Sequence, residues 1–323
     1  MIALEFEKPL DELYTKIEEL KHISSDSNID LEKDIKKIEA RAEKMKKEIY
    51  LSLTPSQIIQ IARHPNSPTT LNLAKLICTE FTELKGDRCF RDDPSIVGGI
   101  GKLDQYRVMI IGHQKGADTK EKIKRNFGMP HPEGYRKALR LMKLADKFDM
   151  PIITFIDTPG AYPGKEAEER GQAEAIAKNL KEMIGINVPI ISTVIGEGGS
   201  GGALGIAVAN TILMLEYAVY SVISPEGCAS ILFRDASQAE YPAEKLKITA
   251  KDILKLGIAD GILKEPLGGS HNNWEEIGKT IKSALIKEIK SLTKLDKEAL
   301  KEHRFNKFRS FGKFKDQETI ITK

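Results

Sequence analysis

The chain has 323 residues, 41% hydrophobic and 30% charged, the balance of a soluble globular protein that buries a sizeable core as one large or two modest domains. Lys+Arg 50 against Asp+Glu 47 gives a formal net charge of +3, too even for a dedicated nucleic-acid binder. The cysteines, Cys78, Cys89 and Cys228, form no C-x-x-C pair, which excludes a disulfide framework and a self-contained four-cysteine zinc site and fits a reducing cytoplasm.

Met1 to Lys8 lacks the basic-then-apolar pattern of a signal peptide. No apolar run approaches the ~20 residues that span a bilayer, so a cytoplasmic chain without membrane contact is expected. Residues 9–50 read as a helical hairpin. Leu10, Leu13, Ile17 and Leu20 recur at spacings of three and four, as do Leu31, Ile35, Ile38, Ala42, Met45 and Ile49 after the polar break at 24–28. A further helix is expected at Thr54-Pro55-Ser56-Gln57, with Thr as N-cap, Pro first in the helix and Gln three residues on. From about residue 86 the texture changes. Strands are expected over 95–103 and 106–112, a helix over 132–148, a strand over 151–157 and a helix over 166–184. A strand over 188–195 leads into a glycine-rich loop, followed by a short helix near 203–209, strands at 211–215 and 220–224, and a helix from Pro225. This alternation predicts an α/β layered core with mainly parallel strands. A Lys-rich helix over about 274–301 and a basic tail close the chain. The expected division is a helical region at 1–85, an α/β core at 86–265 and a C-terminal helix and tail at 266–323.

The segment Gly196-Glu197-Gly198-Gly199-Ser200-Gly201-Gly202-Ala203 joins a strand to a helix, where free N–H groups meet a backbone that neighbours can approach closely. Three chemistries compete for it. Gly196-x-Gly198-x-x-Gly201, with Glu216 after the next strand, fits a dinucleotide fingerprint, although it lies late in the chain. Gly198-x-Ser200-x-Gly202, followed by Asp260 and His271, fits a nucleophile elbow and its triad order. The third reading is an oxyanion hole, in which small residues aim backbone N–H groups at a developing charge, each donor contributing about 3–4 kcal/mol in the transition state. A tight strand-to-helix turn is the plain structural alternative. No Gly-Lys-Ser or Gly-Lys-Thr follows, so a Walker loop is excluded.

Longer motifs carry a resemblance. Ile96-Val97-Gly98-Gly99, Ile110-Ile111-Gly112-His113-Gln114-Lys115-Gly116, Asn126-Phe127-Gly128-Met129-Pro130, the run 132–138, Phe155-Ile156-Asp157-Thr158-Pro159-Gly160-Ala161-Tyr162-Pro163-Gly164, Glu168-Glu169-Arg170-Gly171-Gln172, the glycine loop and the run 220–227 together resemble one family. It is the carboxyltransferase alpha subunit of acetyl-CoA carboxylase, in the crotonase superfamily, and the likeness runs from about His64 to His271. At Lys165-Glu166 the sequence departs from the small or apolar residues usual there in the family.

The resemblance implies a crotonase-like fold and transfer of the carboxyl group of carboxybiotin to acetyl-CoA, giving malonyl-CoA for fatty acid synthesis. It also implies a beta subunit in an α2β2 assembly, a biotin carboxyl carrier protein and a biotin carboxylase. No cofactor is expected on this chain: carboxybiotin arrives on the carrier, and zinc belongs to a ribbon on the beta subunit. The chemistry agrees with the third reading. Carboxybiotin loses CO2 and leaves negative charge on the ureido oxygen; the biotin anion takes a proton from the acetyl methyl, and the enolate attacks CO2. The expected donors are the amides of Gly201, Gly202 and Ala203, the family favouring the Gly202-Ala203 pair. Gly199 gives clearance, Gly198 adjoins it, and Pro159-Gly160 shapes the biotin pocket.

Between Lys102 and Lys147 there are twelve Lys/Arg against five Asp/Glu. This run reads as an anion site or, more simply, as solvated surface. The tail from Arg304 to Lys315, with Phe305, Phe308, Phe311 and Phe314 every three residues, reads as a single-strand nucleic-acid platform or, in preference, as an amphipathic segment that docks on protein.

Overall fold

The computed structural model describes residues 4–27 and 31–312. The helical hairpin is formed by α1 (Lys8–Ser27) and α2 (Glu32–Leu51), which meet through Leu10, Ile17 and Ala42, with Leu13, Ile35, Ile38 and Ile49 flanking. In α3 (Pro55–Ala62) the expected cap is complete: Thr54 Oγ1 accepts from the Gln57 amide at 3.3 Å, and Gln57 Oε1 accepts from the Thr54 amide at 2.8 Å. Then α4 (Thr70–Ile77) leads into the sheet.

The strands are β1 (Glu80–Glu83), β2 (Ile96–Leu103), β3 (Tyr106–His113), β4 (Ile152–Thr158), β5 (Ile190–Gly199), β6 (Thr211–Leu215), β7 (Val219–Ser221) and β8 (Gly261–Leu263). Among the described residues they form one sheet in the order β1-β2-β3-β4-β5-β6-β8, with β7 paired to β5. The first three are antiparallel and the rest parallel. Because spatial order follows chain order, the path contains no reversal of the kind that makes a dinucleotide crevice in doubly wound sheets. The helices between strands are α5 (Thr119–Lys124), α6 (Pro132–Lys147), α7 (Lys165–Glu169), α8 (Gln172–Ile184) and α9 (Ser200–Leu204). After β7 come α10 (Pro225–Phe233), α11 (Glu240–Lys245) and α12 (Ala250–Lys255), and β8 is followed by α13 (Trp274–Leu292) and α14 (Lys297–Arg309).

Several boundaries differ from expectation for local reasons. The helix expected over 166–184 breaks at Gly171, whose φ of +83° starts α8 afresh. The expected 274–301 helix is two helices, because Asp296 caps α14 by accepting from the Ala299 amide at 2.8 Å. Most consequentially, β5 does not stop at Ile195. Its first half pairs with β4 and β6, and Glu197–Gly199 continue as strand because β7 supplies a new partner. The glycine run is therefore half strand, and the helix after it is α9, earlier than the expected 203–209.

One buried apolar cluster joins Ile110, Ile153, Ile191 and Leu213 of the sheet to Leu73 and Ile77 of α4 and to Ile277, Ile281, Leu285 and Ile289 of α13. The core thus continues past residues 85 and 265. The tail also belongs to it. Arg304 is fully buried, its guanidinium donating to the carbonyls of Met183, Ile184, Ile186 and Val188 and to Asn210 Oδ1 at 2.7–3.2 Å. Phe308 packs against the core and Phe311 lies 5.1 Å from it, ring to ring, so this part of the segment docks on its own subunit, while Phe305 stays exposed. Phe314 and Lys315 lie outside the described residues.

Burial lowers the Arg304 pKa to about 10, still cationic at neutral pH, so its five acceptors receive charge-assisted bonds. Arg304→Ala is expected to cost about 3 kcal/mol or more, because buried carbonyls lose their donor, and Arg304→Lys to recover only part. Urea-unfolding midpoints of the three proteins check this.

Candidate functional site

The ends of β4 and β5 lie side by side, with Thr158 in register with Gly198. Thr158 Oγ1 accepts from the Gly160 amide at 3.1 Å and donates to the Gly160 carbonyl at 2.8 Å, winding the chain tightly around Pro159. The glycine loop sits directly on this turn. A Cβ on Gly199 would stand 2.2 Å from the Pro159 carbonyl oxygen, and one on Gly202 2.4 Å from the Ala161 nitrogen. The clearance at Gly199 is therefore filled by the protein's own backbone. At Gly198 the space is filled by the Tyr220 ring, 2.3 Å from a virtual Cβ. Gly160 faces open space instead, and Gly201 has room for an ordinary side-chain contact. Gly160, with φ +153°, has nothing within 4 Å of a virtual Cβ, and Gly201 has only Ile176, at 3.8 Å.

Ser200 turns the strand into the helix with φ +50°, a left-handed conformation. In a helix beginning at Ser200, the amides of Ser200, Gly201 and Gly202 have no acceptor within the turn, whereas that of Ala203 is the first to be used. The site so formed is a stretch of backbone donors beside an opening at Gly160 and Gly201.

Next to it lies a chain of ionic contacts. Lys115 Nζ donates to Asp157 Oδ1 at 2.7 Å and to Glu197 Oε2 at 2.8 Å. Arg63 Nε donates to Glu197 Oε1 at 2.7 Å, and its Nη1 to Glu226 Oε1 at 2.6 Å. Asp157 Oδ1 also accepts from the Glu197 amide at 3.0 Å. Burial acts against every charge here. It pushes Asp157 above the usual carboxylate range despite Lys115. For Glu197 burial pushes the same way, but Lys115 and Arg63 together hold it below that range. For Lys115 burial is outweighed by the two carboxylates, which raise it. Buried His113, at the end of β3, is held neutral, at about 3, chiefly by desolvation. Its Nδ1 accepts from the Asp157 amide at 3.4 Å, and its Nε2 has no hydrogen-bond partner.

The rival chemistries do not assemble. Asp260 accepts from the Ile212 amide at 2.6 Å and pairs with Lys307. His271 stacks on His64 at 3.6 Å, and burial lowers its pKa to about 4. Both are committed away from Ser200. For a dinucleotide, α9 is only a five-residue helix and the sheet has no order reversal. The basic run 102–147 divides. Lys137 is fully buried against Asp92 and the Asp93 carbonyl, Arg136 pairs with Asp87 and Glu133, and Lys115 is in the ion chain, while Lys102, Arg107, Lys120, Lys124, Lys143 and Lys147 are exposed. Cys78 and Cys228 are half-buried, and Cys89 is exposed. Among the described residues no group of three or more His, Cys, Asp or Glu could hold a metal ion, and no helix is long and apolar enough to cross a membrane.

Sequence reasoning missed Lys115, Asp157, Glu197 and Arg63 as a unit. A signal existed: Glu197 stands among glycines at the end of an apolar strand, and Asp157 ends another. Charges in such places need partners.

The family model described as "Acetyl co-enzyme A carboxylase carboxyltransferase-like" matches residues 3–312. The acetyl-coenzyme A carboxylase carboxyl transferase subunit alpha of Geobacillus sp. (strain WCH70) is 58% identical over 97% of each chain. That of Prochlorococcus marinus (strain MIT 9215) is 55% identical over 98% of this chain and 95% of its own. Among solved structures, a Pseudomonas malonate decarboxylase hetero-tetramer in complex with coenzyme A superimposes with TM-score 0.56 at 17% identity, covering 76% of this chain and 95% of that one. Transcarboxylase 12S superimposes with TM-score 0.53 at 18% identity, covering 67% of this chain and 41% of that one. These likenesses establish the crotonase-like layered fold.

Lys115→Met leaves two buried carboxylates without their shared cation. Their pKa values then rise, the folded state takes up protons, and stability increases as pH falls through that window. The stability deficit of Lys115→Met relative to wild type is therefore expected to be largest near pH 8 and to shrink toward pH 5, as read from urea midpoints across pH.

Proposed function

The chain belongs to the acetyl-CoA carboxylase carboxyltransferase alpha-subunit family, and from that premise we propose that it transfers the carboxyl group of carboxybiotin to acetyl-CoA, forming malonyl-CoA. The observation that carries the reading is a set of helix-start amides without acceptors, beside backbone left open at Gly160 and Gly201. Carboxybiotin, brought by the carrier protein, supplies the carboxyl group. The amides of Gly201 and Gly202 meet the charge that grows on the ureido oxygen, and Ala203 closes the turn behind them. Gly198, Gly199 and Pro159 hold the two loops in contact, and the open face of Gly160 gives the ring its approach. No side chain attacks, so exposed Ser200 serves as the corner and not as a nucleophile.

On this reading the chain itself holds no cofactor, and zinc resides on the beta subunit. The partner's place is suggested by a face next to the glycine loop. Ser221, Ser224 and Pro225 line a cleft with Gly198, Gly199 and Arg63. Beyond it Val222, Ile231, Leu232 and Tyr241 are 58–85% exposed. Exposed apolar side chains of this kind are what a subunit interface covers. The beta subunit seated there would complete the site in an α2β2 assembly, with the carrier protein and biotin carboxylase as further partners.

Reconstitution with the beta subunit and a carboxylated carrier is expected to yield malonyl-CoA, and tight nicotinamide cofactor binding or full activity without a partner would sink the reading. Gly202→Val drives a side chain into the Gly160-Ala161 backbone and is expected to lower turnover about a hundredfold or more while assembly persists on size exclusion. Fluorophosphonate should leave Ser200 unlabelled. Leu232→Asp is expected to weaken capture of the beta subunit without moving the unfolding midpoint of the isolated chain.

A further inference from the structure

Tyr135 of α6 is fully buried, and its hydroxyl donates to the Gly202 carbonyl at 3.2 Å. That carbonyl needs an outside donor. The helix α9 ends at Leu204, and the Ile206 amide that would reach back to Gly202 bonds the Ala203 carbonyl instead, at 3.2 Å. The ring of Tyr135 is spoken for as well. It lies against Gly205, where a Cβ would come within 2.6 Å of it. From the neighbouring helix, Asn179 Nδ2 donates to the Gly205 carbonyl at 2.9 Å and to the Tyr135 carbonyl at 3.0 Å.

These contacts have a directional consequence. The Gly202 N–H and the Gly201 carbonyl share one peptide plane and point opposite ways. The Gly201 carbonyl accepts from the Gly205 amide at 3.0 Å, so seating Gly205 on the Tyr135 ring fixes that plane. The Tyr135 hydroxyl fixes the next plane, at the Gly202 carbonyl. On the opposite face, Gly202 rests on the Gly160-Ala161 backbone. Burial raises the Tyr135 phenol well above its usual range, which keeps the donor protonated.

We propose that Tyr135 is a positioning residue for carboxyl transfer: its ring, through Gly205, and its hydroxyl hold the two peptide planes on either side of the Gly202 Cα, and so fix the direction of the Gly202 amide beside the opening at Gly160. The proposal rests on the glycine-loop reading given above. Oriented donors act chiefly on the transition state, so a small rotation of this amide lowers kcat and leaves substrate binding intact.

Tyr135→Phe keeps the ring under Gly205 and removes only the hydroxyl. In the complex reconstituted with the beta subunit, kcat for malonyl-CoA formation is expected to fall about tenfold, with KM for acetyl-CoA and for the carboxylated carrier unchanged within about twofold. A second variant, Gly205→Ala, keeps the hydroxyl but displaces the ring that carries it, and is expected to give the same kcat-selective loss. Full kcat in both variants, beside an inactive Gly202→Val enzyme, overturns the role of Tyr135 and leaves the glycine-loop reading standing. A loss expressed in KM with kcat retained also overturns it. An active Gly202→Val enzyme overturns both.

Discussion

Two strand ends pressed backbone to backbone govern this molecule. Gly199 admits no side chain because the Pro159 carbonyl occupies the space, and Gly202 admits none because Ala161 does. The register that pairs Thr158 with Gly198 also brings the carboxylates of Asp157 and Glu197 onto the same side, both largely buried. Two such groups repel and are poorly solvated, so the contact is tenable only with a cation between them. Lys115 reaches in from the segment after β3 and bonds both. Loop shape and ion chain are thus one solution to one packing problem.

On the proposed reading, that solution explains why the chemistry falls to the backbone. Close apposition excludes side chains from the inner face of the loop, and the short turn at Ser200 leaves amides at its start without acceptors. A nucleophile would need a base within reach, and His271 is stacked on His64 elsewhere. Donors built from the main chain are held by their neighbours and need little reorganisation as charge develops.

Much of the fold was legible because it is written locally. Alternating apolar runs gave β2 to β6, the Thr54-x-x-Gln57 box gave α3, and the leucine and isoleucine spacing gave the hairpin of α1 and α2. What escaped was decided by contacts distant in sequence. The glycines of 196–199 carry no strand signal, and they are strand because β7 comes back to pair with them. Lys115 stood in a basic run that resembles solvated surface, and only its placement against β4 and β5 distinguishes it from exposed Lys120. Arg304 opened what read as a basic tail, yet four of its five acceptors come from the end of α8 and the stretch that follows it, more than a hundred residues earlier. At the glycine loop the residues by themselves left three chemistries open, because a pattern of glycines records where side chains are forbidden and not what forbids them.

Arg63 carries the argument outward. One guanidinium neutralises Glu197 at the end of β5 and holds Glu226 in the first turn of α10. That helix is only weakly rooted by packing: Pro225 and Ala229 are its buried residues, while Ile231 and Leu232 stand in solvent. The ion pair that begins inside the site therefore adds to the tether that β7, paired to β5 just before this helix, already supplies. A planar, bidentate guanidinium suits this task, since it can hold two carboxylates at fixed angles where an ammonium would act as a point charge. The exposed apolar side chains of α10 are consequently linked to the glycine loop twice, by the pairing of β7 with β5 and by charge through Arg63.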